Sequence, residues 1–122
     1  MAKKVAWVSR HPMHPSQKEA LVKVYGNDII IDGTMTSFGD AREIIKKYRD
    51  GKFDDMVIVA PLSVLEVLCS QGIYPLWADS VEENDPAKIE FRGARGQGFR
   101  FVGFKRIKEI RKVFYPDDET FA

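Results

Sequence analysis

Four short apolar runs divide the first two-thirds of the chain. They cover residues 4–9, 28–32, 56–60 and 73–77, and the last run contains Pro75. Continuous apolar residues, rather than a strict alternation with polar ones, are typical of strands that are covered on both faces, as in a parallel sheet. The pattern therefore predicts four strands of a mainly parallel sheet, with the fourth weakened by its proline.

Between these runs, apolar residues recur at helical spacing. Each of the three stretches opens with a capping-box pair and closes at a glycine: Ser16 and Glu19 with Gly26, Asp40 and Glu43 with Gly51, and Ser63 and Glu66 with Gly72. In a capping box the first side chain accepts a hydrogen bond from a free amide, and the acid reaches back. A glycine tolerates the left-handed backbone that ends many helices. The order β-α-β-α-β-α-β follows.

The pattern changes after residue 87. Residues 88–92 and 99–104 read as two strands around the glycine-rich stretch 93–98, which predicts a β-hairpin. Residues 107–115 fit a helical stripe and a strand, and their β-branched and aromatic residues favour the strand. Residues 116–122 form a loose acidic tail.

These elements predict an α/β fold of the Rossmann-like kind. We expect a three-layer sandwich with a mainly parallel sheet, strand order 2-1-3-4, helices on both faces and a C-terminal β-hairpin extension. A chain of 122 residues fits one domain with its own core. Within it, residues 1–80 form the core, residues 88–115 the basic strands and residues 116–122 the tail.

Cysteine usage and the N-terminus point to one compartment. Cys69 is the only cysteine, so no disulfide can form within the chain, and its apolar helix predicts a buried thiol. Only four apolar residues lie between Lys4 and Ser9, which is too short a run for a signal peptide, and no run approaches the length of a membrane span. We expect a cytoplasmic protein without a membrane partner.

Charge is divided unevenly along the chain, although the net charge is only +1. Residues 91–112 carry eight basic residues against Glu109 alone, a local charge of +7, and the remainder carries −6. Four phenylalanines lie among these cations: Phe91, Phe99, Phe101 and Phe104. Cations and aromatic rings on strands can follow a phosphate backbone and stack on bases.

A binding module for nucleic acid or a nucleotide-containing polyanion is therefore the first functional hypothesis. The predicted contacts are Arg92, Arg95, Arg100, Lys105 and Arg106. Two alternatives use the same charges differently. The segment can be an amphipathic hairpin with its rings in the core, or it can bind an acidic protein, including a second copy in a homodimer.

A second hypothesis is a small enzyme acting on a phosphorylated or anionic molecule. Ligands of open parallel sheets bind beyond the carboxyl ends of the strands. The predicted binding residues there are Ser9, Arg10, His11, His14 and Thr34. The catalytic candidates are His11, Asp32 and Ser63. Loop polarity and helix capping explain the same residues without any site.

No metal or cofactor is predicted. His11 and His14 are spaced for a metal clip that Asp32 could complete, but this pair without a fixed set of partners is a weak signal. The phosphate-loop and dinucleotide fingerprints are absent, because the glycines of residues 92–98 precede a strand rather than a helix.

Three short stretches carry a family resemblance. They are Trp7–Pro12 with its Ser-Arg-His-Pro sequence, residues 57–62, and the closing segment 101–107. Together they resemble a family of small α/β proteins from phage, mobile-element and archaeal genomes. The resemblance implies no activity and no residue roles, because none is established for that family.

Overall fold

One sheet organises the protein. The computed structural model describes residues 2–36, 39–111 and 113. Its elements in chain order are β1 (Lys4–Val8), α1 (Pro15–Tyr25), β2 (Ile30–Asp32), α2 (Ala41–Asp50), β3 (Asp55–Ile58), α3 (Leu62–Ser70), β4 (Leu76–Glu82), β5 (Phe91–Arg92) and β6 (Gly98–Arg106). The predicted order β-α-β-α-β-α-β is confirmed, and two further strands follow it as the predicted hairpin. Within these ranges no helix is both long and apolar enough to cross a bilayer.

The six strands lie in the order β2-β1-β3-β4-β6-β5, so the predicted order 2-1-3-4 is confirmed. β1 pairs in parallel with β2 and β3, and β3 pairs in parallel with β4. β6 is antiparallel to both β4 and β5. The α/β class is therefore confirmed, but the sheet is mixed, and a mainly parallel Rossmann-like sandwich is not. An antiparallel neighbour needs no helical crossover, so the last third of the chain adds strands without adding helices.

Helices cover both faces at the centre of the sheet. One face packs against α2 and α3 through alternate residues of the central strands: Ala6, Val8, Met56 and Ile58. The other face packs against α1 through the residues between them: Val5, Trp7 and Val57. Successive strand residues point to opposite faces. This is why β1 and β3 need continuous apolar runs.

The edges of the predicted strands differ from expectation. β2 is an edge strand, and Ile30 is 51% exposed, so its predicted burial is wrong. β4 begins at Leu76, after the proline, and continues to Glu82, past the end of the predicted run 73–77. Residues 107–111 and 113 form no strand, and the Ile107 amide donates to the Pro75 carbonyl at 2.8 Å. The remainder of 107–115 and the predicted tail 116–122 lie outside the described residues.

Helix starts were predicted correctly once in three cases. Asp40 caps α2 and accepts hydrogen bonds from two backbone amides. α1 is capped by His14 instead of Ser16, because Pro15 opens the helix and moves its cap upstream. α3 follows Pro61 and has no side-chain cap, so the capping role predicted for Ser63 is wrong.

Helix ends follow the glycine rule in part. Gly26 and Gly72 adopt φ values of 98° and 76°, as expected for glycine beyond a helix. Gly51 does not, since its φ is −77°. The positive φ at this end, 51°, falls on Lys52 instead.

A partly buried ion pair joins β3 to β6 at the amino end of β3. The Arg106 guanidinium donates two hydrogen bonds to Asp55, at 2.6 and 2.9 Å, and Asp55 is 4% exposed. The Tyr25 hydroxyl donates to the same carboxylate. Burial and the nearby carboxylate raise the pKa of Tyr25, and hydrogen bonding to Asp55 raises the pKa of Arg106. The cluster ties α1, β3 and β6 together.

Candidate nucleic-acid interface

Three strands extend past the rest of the sheet. β4 pairs with β3 only at Leu76, opposite Val57, but it pairs with β6 all the way to Glu82. Because β3 ends at Ile58, most of β4 continues beyond the carboxyl end of β3. We call the antiparallel unit of β4, β6 and β5 the arm.

A β-bulge decides which side chains share a face of the arm. The register shifts at Asp79 and Ser80, and Val102 is left without a partner. The bulge keeps Phe99 and Phe101 on the face that carries Phe104, which packs in the core beside α1. The rings of Phe101 and Phe104 lie 4.8 Å apart.

The cations of β6 divide between the two faces. Arg100 and Lys105 lie opposite Val81 and Trp77, on the side away from the rings. Arg106, which pairs with Leu76, lies on the ring side. One face of β6 thus carries three rings together with Arg106, and the other face carries Arg100 and Lys105.

Acidic side chains neutralise much of the basic segment. Lys105 Nζ lies 2.8 Å from Asp79, and Arg100 Nε lies 3.4 Å from Glu83. The lysine lowers the pKa of Asp79. Arg106 is held by Asp55, as described above. The local charge of +7 overstates the positive field of this segment, because carboxylates from outside it lie beside three of its cations.

We call residues 91–99, the turn between β5 and β6 with the strand ends beside it, the tip of the arm. The cations of this tip are not neutralised by nearby carboxylates of the described residues. Arg92 and Arg95 are exposed, and within the described part of the chain neither forms an ion pair. Arg92 donates to the Gly96 carbonyl at 2.9 Å across the turn, which Gly96 closes with a φ of 81°. Beside them the rings of Phe91 and Phe99 stack at 5.8 Å. Two exposed guanidinium groups and an aromatic pair thus lie together.

The loop after β1 forms a small, separate cavity of about 320 Å³ that Arg10 and His11 help to line. Ser9 is buried, and its hydroxyl accepts a hydrogen bond from the His11 amide at 3.1 Å. Trp7 donates to the His11 carbonyl at 2.8 Å. The side chains of Trp7 and Ser9 therefore hold the loop through the backbone of His11. The side chains of Arg10 and His11 are exposed.

The other catalytic candidates lie elsewhere. Asp32 accepts two hydrogen bonds from Thr34, which lower the pKa of Asp32. Both residues line a cavity on the α2 side of the sheet. Ser63 lines neither of these cavities and is exposed on α3. The described residues contain no group of three side chains suited to a metal ion. The cavities described here do not bring His11, Asp32 and Ser63 together. Catalysis by these three residues stays a prediction.

His14 serves as the N-cap of α1. Its Nδ1 accepts from the Ser16 amide at 3.2 Å, and its own amide donates to Gln17 at 2.9 Å. Sequence reasoning missed this role because histidine is an uncommon cap. The signal was Pro15 at the first helical position, with Gln17 placed two residues later for a capping box.

We expect His14→Ala to destabilise the protein by about 1 kcal/mol, the usual cost of removing an N-cap side chain. His11→Ala is the matched control, because only backbone atoms of His11 make the contacts described here. Urea denaturation measures both variants. Equal stabilities for the two variants would contradict the capping role.

A larger cavity of about 760 Å³ lies between the start of α1 and the arm. Its lining comes from His14, the segment Ala87–Glu90, Arg100 and Phe101. Sequence reasoning did not single out Lys88 or Glu90. Their only signal was a position within the predicted strand 88–92.

Comparison with known proteins adds no relative. No family model, curated protein or solved structure matches the chain.

Proposed function

We propose that this chain is a cytoplasmic module that binds nucleic acid, and that the tip of the arm contacts the phosphate backbone. One observation carries the proposal. Arg92, at the end of β5, and Arg95, in the turn after it, are exposed, and no carboxylate of the described residues pairs with either. The other three predicted contacts, Arg100, Lys105 and Arg106, each have such a partner.

The chemistry of the tip suits this ligand. A guanidinium group presents a planar fork of donors that matches the oxygens of phosphate. Phe91 is 38% exposed and stacks on Phe99, so an aromatic surface lies beside the two arginines. Aromatic rings stack on bases of any sequence, which favours binding without sequence preference.

The remaining predicted contacts have unequal roles in this proposal. Arg100 and Lys105 form exposed ion pairs, which contribute little to stability, so phosphate can replace Glu83 and Asp79 as their partners. Arg106 is assigned to folding instead, because both of its terminal nitrogens are bound to Asp55.

Replacing Arg92 and Arg95 together by alanine is expected to weaken binding to every oligonucleotide sequence. Each phosphate contact releases condensed counterions, so the slope of log affinity against log salt should fall by roughly 2, one for each lost contact. Anisotropy titrations of labelled oligonucleotides from about 50 to about 200 mM salt measure this slope.

The matched control is Arg42→Ala with Lys46→Ala. Both residues are exposed cations on α2, so their replacement removes the same charge at a position away from the arm. Binding by this control should match the wild type after correction for net charge. If the wild type binds no oligonucleotide at about 100 μM, the weak end of non-specific affinities, the proposal fails. A dimer that dissociates as salt rises would then assign the cations to self-association.

A further inference from the structure

The cavity between α1 and the arm has the size of a small-molecule site. Its volume of about 760 Å³ lies within the range of about 300–1,000 Å³ found for ligand pockets. It is lined by two cations, a carboxylate and an aromatic ring: Lys88, Arg100, Glu90 and Phe101. None of these side chains belongs to the tip of the arm.

The two cations provide the charge that a phosphate group requires. Arg100 Nε lies 3.4 Å from Glu83, and a phosphate group can replace Glu83 in this exposed ion pair. Lys88 is exposed, and among the described residues its amine takes part in no ion pair. Arg100 projects from the face of β6 opposite the Phe101 ring but lines the cavity at its rim, where Arg100 and Lys88 can both donate to one anion.

Glu90 is held rigidly within the lining. Its Oε1 accepts from the Phe101 amide at 2.6 Å, and its own amide donates to the Phe99 carbonyl at 2.9 Å. Its other oxygen lies 3.5 Å from Nδ1 of His14. A fixed carboxylate repels phosphate but accepts hydrogen bonds from the N–H groups of a base. The cavity therefore has one region for an anion and another for a neutral donor.

Phe101 provides the stacking surface between these regions. Its ring packs at an angle against Phe104 and is only partly buried. An aromatic ring fixed by a neighbour on one side offers its free surface to a planar group. A nucleotide has a group for each of these features: a phosphate for the cations, a planar base for the ring, and N–H donors for the carboxylate.

We propose that this cavity holds one unpaired nucleotide of a single strand. Lys88 and Arg100 bind its phosphate, and Phe101 and Glu90 contact its base. The inference rests on the proposed function and adds a preference for single strands over duplexes. A base within a duplex is already stacked and paired and cannot enter the cavity. Single strands should bind more tightly than duplexes that carry the same number of phosphates.

Phe101→Leu tests the inference, with Phe101→Tyr as the conservative control. Leucine keeps an apolar contact with Phe104 but removes the stacking surface. We expect binding of a labelled single-stranded oligonucleotide to weaken about tenfold and duplex binding to stay unchanged, with tyrosine restoring the wild-type affinity. The single strand is tested as both DNA and RNA, because the contacts named here do not involve the sugar 2′-hydroxyl.

Two further measurements separate the possible failures. If Phe101→Leu disturbs folding, Lys88→Ala replaces it as the test, because Lys88 is exposed. Lys88→Ala should also weaken single-strand binding. Adenosine 5′-monophosphate, titrated by NMR, probes the cavity independently of the arm tip. Its binding should be lost in Phe101→Leu and retained when Arg92 and Arg95 are replaced.

The outcomes are distinct. If Phe101→Leu binds single strands and the mononucleotide as tightly as the wild type, the cavity inference is overturned, and the proposed function stands on the arginine variant. If no oligonucleotide binds, the proposed function is overturned. Mononucleotide binding that depends on Phe101 would then still support the cavity.

Discussion

Val57→Asp is expected to leave the protein unfolded. Val57 is 1% exposed on β3, between β1 and β4, and it packs in the core beneath α1. The introduced carboxylate would have no partner there, and burying an unpaired charge costs more than about 4 kcal/mol. That loss is comparable to the whole stability of an ordinary domain, about 5–15 kcal/mol. Far-UV circular dichroism and urea denaturation measure the outcome.

Val102→Asp is the matched control for this substitution. Val102 is also a strand valine, but it is 44% exposed and unpaired at the bulge. Its replacement should change the free energy of unfolding by no more than about 0.5 kcal/mol, as for other exposed positions. A cooperative, wild-type-like transition in Val57→Asp would contradict the central position of β3.

Asp55→Ala is expected to cost about 3 kcal/mol, the lower end of the range for breaking a buried ion pair. The variant leaves the Arg106 guanidinium without its carboxylate and the Tyr25 hydroxyl without its acceptor. The lower end applies because the Arg106 side chain is 38% exposed, and water partly replaces the lost partner. Urea denaturation at neutral pH provides the measurement.

A double-mutant cycle isolates the pair itself. Arg106→Met alone leaves the buried Asp55 carboxylate unpaired, whereas Asp55→Ala with Arg106→Met leaves no charge behind. The double variant should therefore cost less than the two single variants added together. Single substitutions that each cost under about 0.5 kcal/mol would show that the pair does not hold β6 to β3. Because Arg106 serves folding, its variants are poor probes of nucleic-acid binding.

Local patterns in the sequence determined which elements exist and in what order. Continuous apolar runs mark β1 and β3 because both faces of each strand are covered by helices. Asp40 was recognised as a cap because its side chain bonds amides only two and three residues away. The glycine-rich turn between β5 and β6 was visible for the same reason. Each of these features depends on residues that lie close to one another in the sequence.

The candidate interface was only half visible in the sequence. Counting charge identified the basic segment, and it located Arg92 and Arg95, whose exposure depends mainly on their own turn. Counting could not show which cations are neutralised. Arg106 meets Asp55 from 51 positions away, and Lys105 meets Asp79 across a strand pair.

Only the tertiary structure decided how the last third of the chain is used. β6 returns antiparallel along β4, and a bulge turns three phenylalanines to one face. His14 reaches Glu90 across the gap between α1 and the arm, where the larger cavity lies. Strand choice depends on backbone hydrogen bonds that any sequence can make, and a cavity depends on which distant segments meet. Neither leaves a periodicity in the residues themselves, so hydrophobic spacing could predict the sheet but not the site at its end.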